Sequence, residues 1–440
     1  MKNRVGTGLK RWHFLDELVL GLLTLYILLG VQSVPFHGDE AMQITMSRDY
    51  FTAFVHRQPA ALLVSPPYTI DSEPWLRLIN GSVNRFAEGL SLHLSGYDES
   101  HLPSLWQWPL SYEDNVAQGN RPSAPILYSS RLPSALFLAA SSIIMFAIGW
   151  TFGGRLTAYL AILIYTLNPI ILLNGRRAMM EGSLLCFGLL TILLAIHISR
   201  GRQDWRWWLA LSLSAALTLA SKHSGIVFVA SAFSWLILAA LFDHLKQNRT
   251  LRLPYPLLLK TGTSLLFTFI LFTLFSPALW NNPLDRFGDL LSERQQLLEA
   301  QIQAEPTAPT SLTDRLTGIL TQSFLSQPVY YEAAFWANSA EIRAEITGYE
   351  ASGLAGITPT PILGFILTLF AGIGLLSLIQ VRQSWQWGLV CWLLITTASL
   401  LINPLPWQRY YLPLIPVMAL CAAFGFSRLT DRWLQRRSST

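Results

Sequence analysis

Two adjacent carboxylates, Asp39 and Glu40, stand just past the first long apolar run of the chain, in the stretch Phe36-His37-Gly38-Asp39-Glu40. Three further polar groups interrupt or border apolar runs. They are Asn174-Gly175-Arg176-Arg177-Ala178-Met179-Met180-Glu181, then Lys222-His223, then Trp407-Gln408-Arg409-Tyr410-Tyr411. Ionisable groups at membrane depth are costly, which makes them functional candidates by default. Arg offers bidentate hydrogen bonds and Lys a point charge, and with aromatic hydroxyls they suit a phosphate whose lipid tail stays in a bilayer. A carboxylate beside that phosphate can take a proton from an incoming hydroxyl or amine. The cations stabilise the charge that grows on the phosphate as its sugar leaves. The chemistry this set predicts is glycosyl transfer from a polyprenyl-phosphate sugar.

Each group also has a simpler role open to it. Asp39 fits the N-cap of a following helix, with Glu40 favoured by the helix dipole. Arg176 and Glu181 fit an ion pair across a helix start. Lys222 fits a side chain snorkelling from a helix end. Arg409 with Trp407 and Tyr410 fits an aromatic-belt anchor. Four such groups on one side of the membrane together point to a shared site.

The elements that must position these residues are apolar helices. Only 13% of residues are charged and 52% are hydrophobic. A soluble domain usually carries about twice that charged fraction. The class is an all-α polytopic membrane protein, and neither a single soluble core nor nucleic-acid binding is indicated. Runs near 16–34, 129–150, 155–173, 179–198, 207–221, 224–243, 256–279, 359–380, 386–402 and 410–427 are long enough to span, giving about ten transmembrane helices. The three cysteines, Cys186, Cys391 and Cys421, lie inside apolar runs and read as small core residues. The basic N-terminal end lacks a small-x-small cleavage pattern, so the first run reads as a retained helix.

Charge sets the sides. Twenty of the 26 acidic residues lie in two stretches, His37 to Pro125 and Asn281 to Gly356. Basic residues cluster elsewhere: Lys2, Arg4, Lys10 and Arg11; Arg200, Arg202 and Arg206; Lys246, Arg249 and Arg252; Arg428, Arg432, Arg436 and Arg437. By the positive-inside rule, both termini and every basic cluster, with Arg155 and Arg382, fall in the cytoplasm. The two acidic segments and all four polar groups then face outside. The expected place is a bacterial-type plasma membrane, multi-pass, with the site facing out.

In the first outer segment Met42, Met46, Tyr50 and Phe54 recur at four-residue steps, and Trp75, Ile79, Val83, Phe86 and Leu90 form a second stripe opened by Asp71, Glu73 and Pro74. Both predict amphipathic helices, either at the outer membrane surface or packed in a small lobe. Asn80-Gly81-Ser82 matches a short glycosylation pattern. The second outer segment carries a predicted helix from Glu293 to Ala304, a turn region at Pro306 and Pro309, then Tyr330 and Tyr331.

At these residues the chain resembles the C-type membrane glycosyltransferases, in particular the protein O-mannosyltransferase and aminoarabinose-transferase group. Asp39-Glu40 matches the place and type of that family's acidic first-loop motif. Arg176 followed five positions later by Glu181 matches an Arg-to-acid spacing, where many members have Asp. Ser221-Lys222-His223-Ser224-Gly225 is similar to the family's lysine-glycine turn. Arg131-Leu132-Pro133-Ser134-Ala135-Leu136 and Leu167-Asn168-Pro169 resemble the start of the second span and the end of the third. Trp407-Gln408-Arg409-Tyr410-Tyr411-Leu412-Pro413 resembles a C-terminal motif of bacterial members. The resemblance is good over spans one to seven and looser over the last three.

The resemblance implies an inverting transfer with Asp39 as base and Glu40 orienting it or the acceptor. It implies that Arg176, Lys222, His223, Arg409 and Tyr410 hold the donor phosphate or sugar, with Glu181 organising Arg176 or contacting the sugar. Residues 1–280, including the external loop 35–128, would form the glycosyltransferase module. Residues 281–358 would form a second external segment, and 359–440 the C-terminal helices with a basic tail. The partners are a polyprenyl-phosphate-linked sugar donor, a protein, glycan or lipid acceptor, and the bilayer. No dense carboxylate or His cluster calls for a metal, so no cofactor is expected, a divalent cation being compatible with the sequence. The competing class is a transporter or lipid flippase, which would put polar residues near mid-bilayer on broken helices in related repeats. A non-catalytic scaffold would tolerate loss of all four polar groups.

Overall fold

The computed structural model describes residues 3–248, 255–305, 311–332, 334–380 and 383–438. Lys2, Arg249, Arg252, Pro306, Pro309 and Arg382 lie outside the described residues. Every described regular element is helical.

Helix α1 spans Asn3–Leu29 and is followed by α2, Gly38–Met46. Two lobe helices, α3 (Glu73–Ile79) and α4 (Val83–Leu94), come next. Helix α5, Ala124–Thr166, is the hub of the bundle. It doubles back on itself at Gly154, whose φ of 81° and ψ of −167° suit glycine and strain other residues. The two limbs lie side by side, with Ser141 Oγ 2.8 Å from Tyr165 Oη and Ser142 Oγ accepting from Thr166 at 2.9 Å. Gly149 allows the close approach, since a Cβ there would sit 2.8 Å from the Ala158 Cα. The second and third apolar runs are therefore the two limbs of one hairpin.

Asn168 ends the third run's first part and starts α6, Pro169–Arg176, its side chain accepting the Ile170 and Ile171 N–H groups. There follow α7 (Glu181–Ser199), α8 (Trp205–Ser221), α9 (Ile226–Asn248) and α10 (Tyr255–Phe275). The second acidic segment contributes α11 (Pro283–Ala304), α12 (Leu312–Thr321) and α13 (Ala340–Ala351). The chain closes with α14 (Pro361–Ser377), α15 (Gly388–Ile402) and α16 (Leu414–Ser438). Helices α1, α4, α7 and α16 pack on α5, while α8 packs on α7 and α10, α9 on α7 and α15, and α14 on α16. Among the described residues seven helices are long and apolar enough to cross a membrane, with α5 counted once. This is an integral membrane architecture.

One end of the bundle is tied by Asp16 of α1, which accepts from Arg155 at 3.1 Å and from Tyr159 at 2.5 Å. The other end gathers the four polar groups of the sequence. There the two lobe stripes pack on one another and on the bundle. The second stripe breaks at Asn80-Gly81-Ser82, because that turn seats on the end of α8. The Ser82 N–H donates to the Ala220 carbonyl at 2.7 Å, and a Cβ on Gly81 would lie 2.0 Å from the Ser221 carbonyl oxygen. Asn80 is buried and donates to the Leu76 carbonyl at 3.1 Å, so the glycosylation pattern sits where no glycan could be attached.

Helix α4 turns three polar side chains inward, Asn84, Arg85 and Glu88, all fully buried. Asp49 accepts Arg77 at 2.7 Å and faces Arg85 at 3.2 Å. Among the described residues Glu88 has only the Asn84 amide as a hydrogen-bond partner. Burial, then the nearby charge of Glu40, push its carboxyl well above the usual range. A raised folded value means that folding favours the protonated acid. Stability is then full below the ordinary Glu value of about 4.3 and falls as pH rises toward the folded value. Glu88→Gln should therefore raise the unfolding temperature at about pH 8 and change it little near pH 4.5, read by thermal unfolding in detergent. An equal shift at both pH values would contradict a buried neutral Glu88.

Candidate active site

The start of α2 is built by its neighbours. His37 is the N-cap, its Nδ1 accepting the Asp39 N–H at 3.1 Å, while the Glu40 carboxylate accepts the His37 N–H at 3.0 Å. The capping role open to Asp39 in the sequence thus belongs to His37 and Glu40. Because Nδ1 accepts, the His37 Nε2 carries the proton and donates to Glu332 Oε2 at 2.8 Å. Glu40 is wholly buried. Arg131 holds it with two hydrogen bonds of 2.7 Å, and the Ala178 N–H adds a third of 2.8 Å. Burial alone would raise its carboxyl, but Arg131, Arg177 and these hydrogen bonds together hold it below the usual range. Glu40 stands behind Asp39 and does not line the cleft, so its place is positional.

Asp39, at the first turn of α2, is 16% exposed and points into a cleft of about 220 Å³. Asp71, Glu181, Lys222, Arg294 and Arg409 also line that cleft. Arg409 forms an ion pair with Asp39 and faces Glu332 Oε1 at 2.9 Å. Burial works against its charge, yet Glu332 and Asp39 prevail and hold it firmly protonated. Glu332 itself, raised by burial, is carried well below the usual carboxylate range by Arg409 and His37. Lys222 donates to Glu181 at 2.6 Å and lies 5.7 Å from the Tyr410 ring centre. Arg294 is in no ion pair among the described residues.

Beside the cleft lies a mainly apolar groove of about 520 Å³ between α9, α11 and α15. Leu184, Val227, Leu291, Leu298, Leu400 and Pro413 line its walls. Arg294, Gln301, Arg409 and Tyr410 border both spaces. Tyr410 is stacked on Trp407 at 5.8 Å.

The structure brings Asp39, Glu181, Lys222, Arg409 and Tyr410 together. His223 lines the groove, with its ring edge-on to Phe272 at 6.2 Å. Arg176 goes elsewhere, against expectation. It is fully buried and donates to the Tyr26, Ile27 and Leu354 carbonyls and to the Tyr349 hydroxyl. Two of those carbonyls belong to the last turn of α1, where no intrahelical partner remains, so Arg176 serves as a helix C-cap. Glu181 consequently organises Lys222 and not Arg176.

Four site residues were not singled out by type or spacing. Glu332 follows Tyr330-Tyr331 in the second acidic segment, where acidic residues are common. Arg294 and Gln301 lie on α11, whose helix was expected without a role. Gln43 is 1% exposed, lines the cleft one turn after Asp39, and has neither amide atom hydrogen-bonded among the described residues. The spacing Asp39 to Gln43 put both on one helix face and was the available signal. Asp71, read as a helix-start residue, is left-handed at φ 63° and borders the cleft, while Ser72 caps α3.

Residues 127–280, about a third of the chain, match the family model of dolichyl-phosphate-mannose-protein mannosyltransferases. In fold the chain is similar to ArnT from Cupriavidus metallidurans, solved bound to undecaprenyl phosphate, at 12% identity and a TM-score of 0.52. That likeness covers 96% of this chain and 61% of ArnT. It is also similar to the archaeal oligosaccharyltransferase AglB from Archaeoglobus fulgidus, solved with an inhibitory peptide and a dolichol-phosphate, at 10% identity and a TM-score of 0.54. There 98% of this chain and 51% of AglB are covered. This chain thus spans about three fifths of the one and half of the other. No curated protein matches it in sequence. Residues 127–280 thus resemble a mannosyltransferase family model, and the chain over nearly its whole length shares the fold of these two solved structures.

Proposed function

We propose that this protein moves a sugar from a polyprenyl-phosphate donor to a hydroxyl or amine acceptor at the extracytoplasmic membrane face, with inversion and with Asp39 as general base. One observation carries the reading. Asp39 shares a cleft with Arg409, Lys222 and Arg294, and the two arginines also line a neighbouring apolar groove. A prenyl chain suits the groove, its phosphate the two arginines, and its sugar the cleft.

In the reaction the acceptor oxygen or nitrogen attacks the sugar C1 from the face opposite the phosphate. The Asp39 carboxylate takes the acceptor's proton. The C1–O bond to phosphate breaks, and the electron pair leaves with the lipid phosphate. Arg294, Arg409 and Lys222 offset the charge that grows there. Gln43, whose amide atoms have no partner among the described residues, lines the cleft where it would bond sugar or acceptor hydroxyls.

The test uses the purified full chain in liposomes with polyprenyl-phosphate-linked hexoses and pentoses and a cell-envelope extract. Mass spectrometry should show the sugar on an envelope protein, glycan or lipid, with free polyprenyl phosphate released. Intact donor throughout, or donor crossing the liposome without transfer, would overturn the reading.

A further inference from the structure

We propose that Arg409 is a shared counter-ion, which pairs with Asp39 while the site is empty and passes to the donor phosphate when it binds, with Glu332 as the positioning residue that holds it through the exchange. The inference rests on the donor reading above.

Arg409 carries a rigid planar fork, so two carboxylates can occupy different edges at once. Its Nη1 edge meets Asp39, and its Nε edge faces Glu332 at 2.9 Å. The two carboxylates are anchored differently. Glu332 accepts the His37 Nε2 proton at 2.8 Å, and His37 is 1% exposed and stacked on Tyr331 at 4.8 Å. Asp39 lies against open cleft and has no anchor of that kind. Arg409 also borders the groove. A phosphate arriving there meets the guanidinium and competes with Asp39, not with Glu332. Among the acidic groups that act on Arg409, Glu181 is already engaged by Lys222.

The consequence is order. While Asp39 Oδ2 is bonded to Arg409, that oxygen is not open to an acceptor's hydroxyl or amine. When phosphate takes the Nη1 edge, Asp39 is freed beside the sugar it must serve. The base becomes available only with donor in place.

The test is binding of undecaprenyl phosphate to the purified full chain in detergent, followed by intrinsic tryptophan fluorescence. Asp39→Asn removes the competitor, so binding should tighten by about tenfold. Glu332→Gln removes the tether, so binding should weaken by about tenfold, and Glu332→Asp should restore part of it. A role for Glu332 as mere counter-charge predicts the opposite sign, tighter binding in Glu332→Gln. That result, or unchanged binding in Asp39→Asn, overturns the exchange while leaving the donor reading standing. Absence of binding by the native protein and every variant overturns both. Should Glu332→Gln fail to fold, the Asp39→Asn comparison decides alone.

Discussion

Asp39→Asn should lower kcat by about a hundred- to ten-thousandfold, the range a positioned general base contributes. The substitution keeps the side chain's shape and removes its negative charge, and with it both proton acceptance and the ion pair with Arg409. The local fold should hold, because the first turn of α2 is capped by His37 and Glu40 and does not need the Asp39 carboxylate. The donor KM should not rise, since the variant frees Arg409 for the phosphate. The measurement is a steady-state rate on a polyprenyl-phosphate sugar for both proteins, with thermal unfolding as the folding control. Loss confined to KM would assign Asp39 to binding. A normal kcat would remove it as the base.

Much of this site was legible in the sequence, and the reason is cost. A charge in an apolar chain is rare enough that each one needs an explanation, so Asp39, Lys222 and Arg409 stood out. The same reasoning selected Arg176, where it misled. A buried arginine can satisfy its donors on backbone carbonyls as well as on a phosphate, and the sequence does not distinguish the two. The Arg176 carbonyl partners come from α1 and from residue 354, separated along the chain by 150 and 178 positions. Glu332 was hidden for the opposite reason. It sits among many acidic residues of a polar segment, and only the tertiary fold carries it to His37 and Arg409. Helices form over the apolar runs, but among the described residues seven and not ten are long and apolar enough to cross a membrane, the second and third runs being the limbs of one hairpin in α5. The glycine that turns it adopts a backbone other residues avoid, but the residue types around Gly153-Gly154-Arg155 already marked the break. The 281–358 segment was separated by composition. In the structure it lends Arg294, Gln301 and Glu332 to the site, so polarity is no guide to independence there.

Arg131→Met should destabilise the protein by about 3–5 kcal/mol, the usual consequence of leaving one partner of a buried ion pair alone. Arg131 joins three elements at one point. From α5 it grips Glu40 of α2 in bidentate fashion, and its remaining nitrogen donates to the Val31 and Val34 carbonyls at 3.1 and 2.8 Å. Methionine fills the volume but leaves the Glu40 carboxylate without its main counter-charge. Glu40→Gln should also destabilise, and the double variant should lose less than the sum, because neither charge is then stranded. Glu40 further predicts a pH dependence. Its folded value is depressed, so its contribution is present above the ordinary Glu value of about 4.3 and is lost as pH falls toward the folded value. Thermal unfolding in detergent at neutral and acid pH reads both effects. The native protein should lose the Glu40 contribution on acidification, and the Glu40→Gln variant should lack that loss. Activity should fall with stability in Arg131→Met, since the pair sets where the first turn of α2 begins and therefore where Asp39 points. Full activity in a destabilised Arg131→Met protein would show that the first turn of α2 is held by the His37 cap alone.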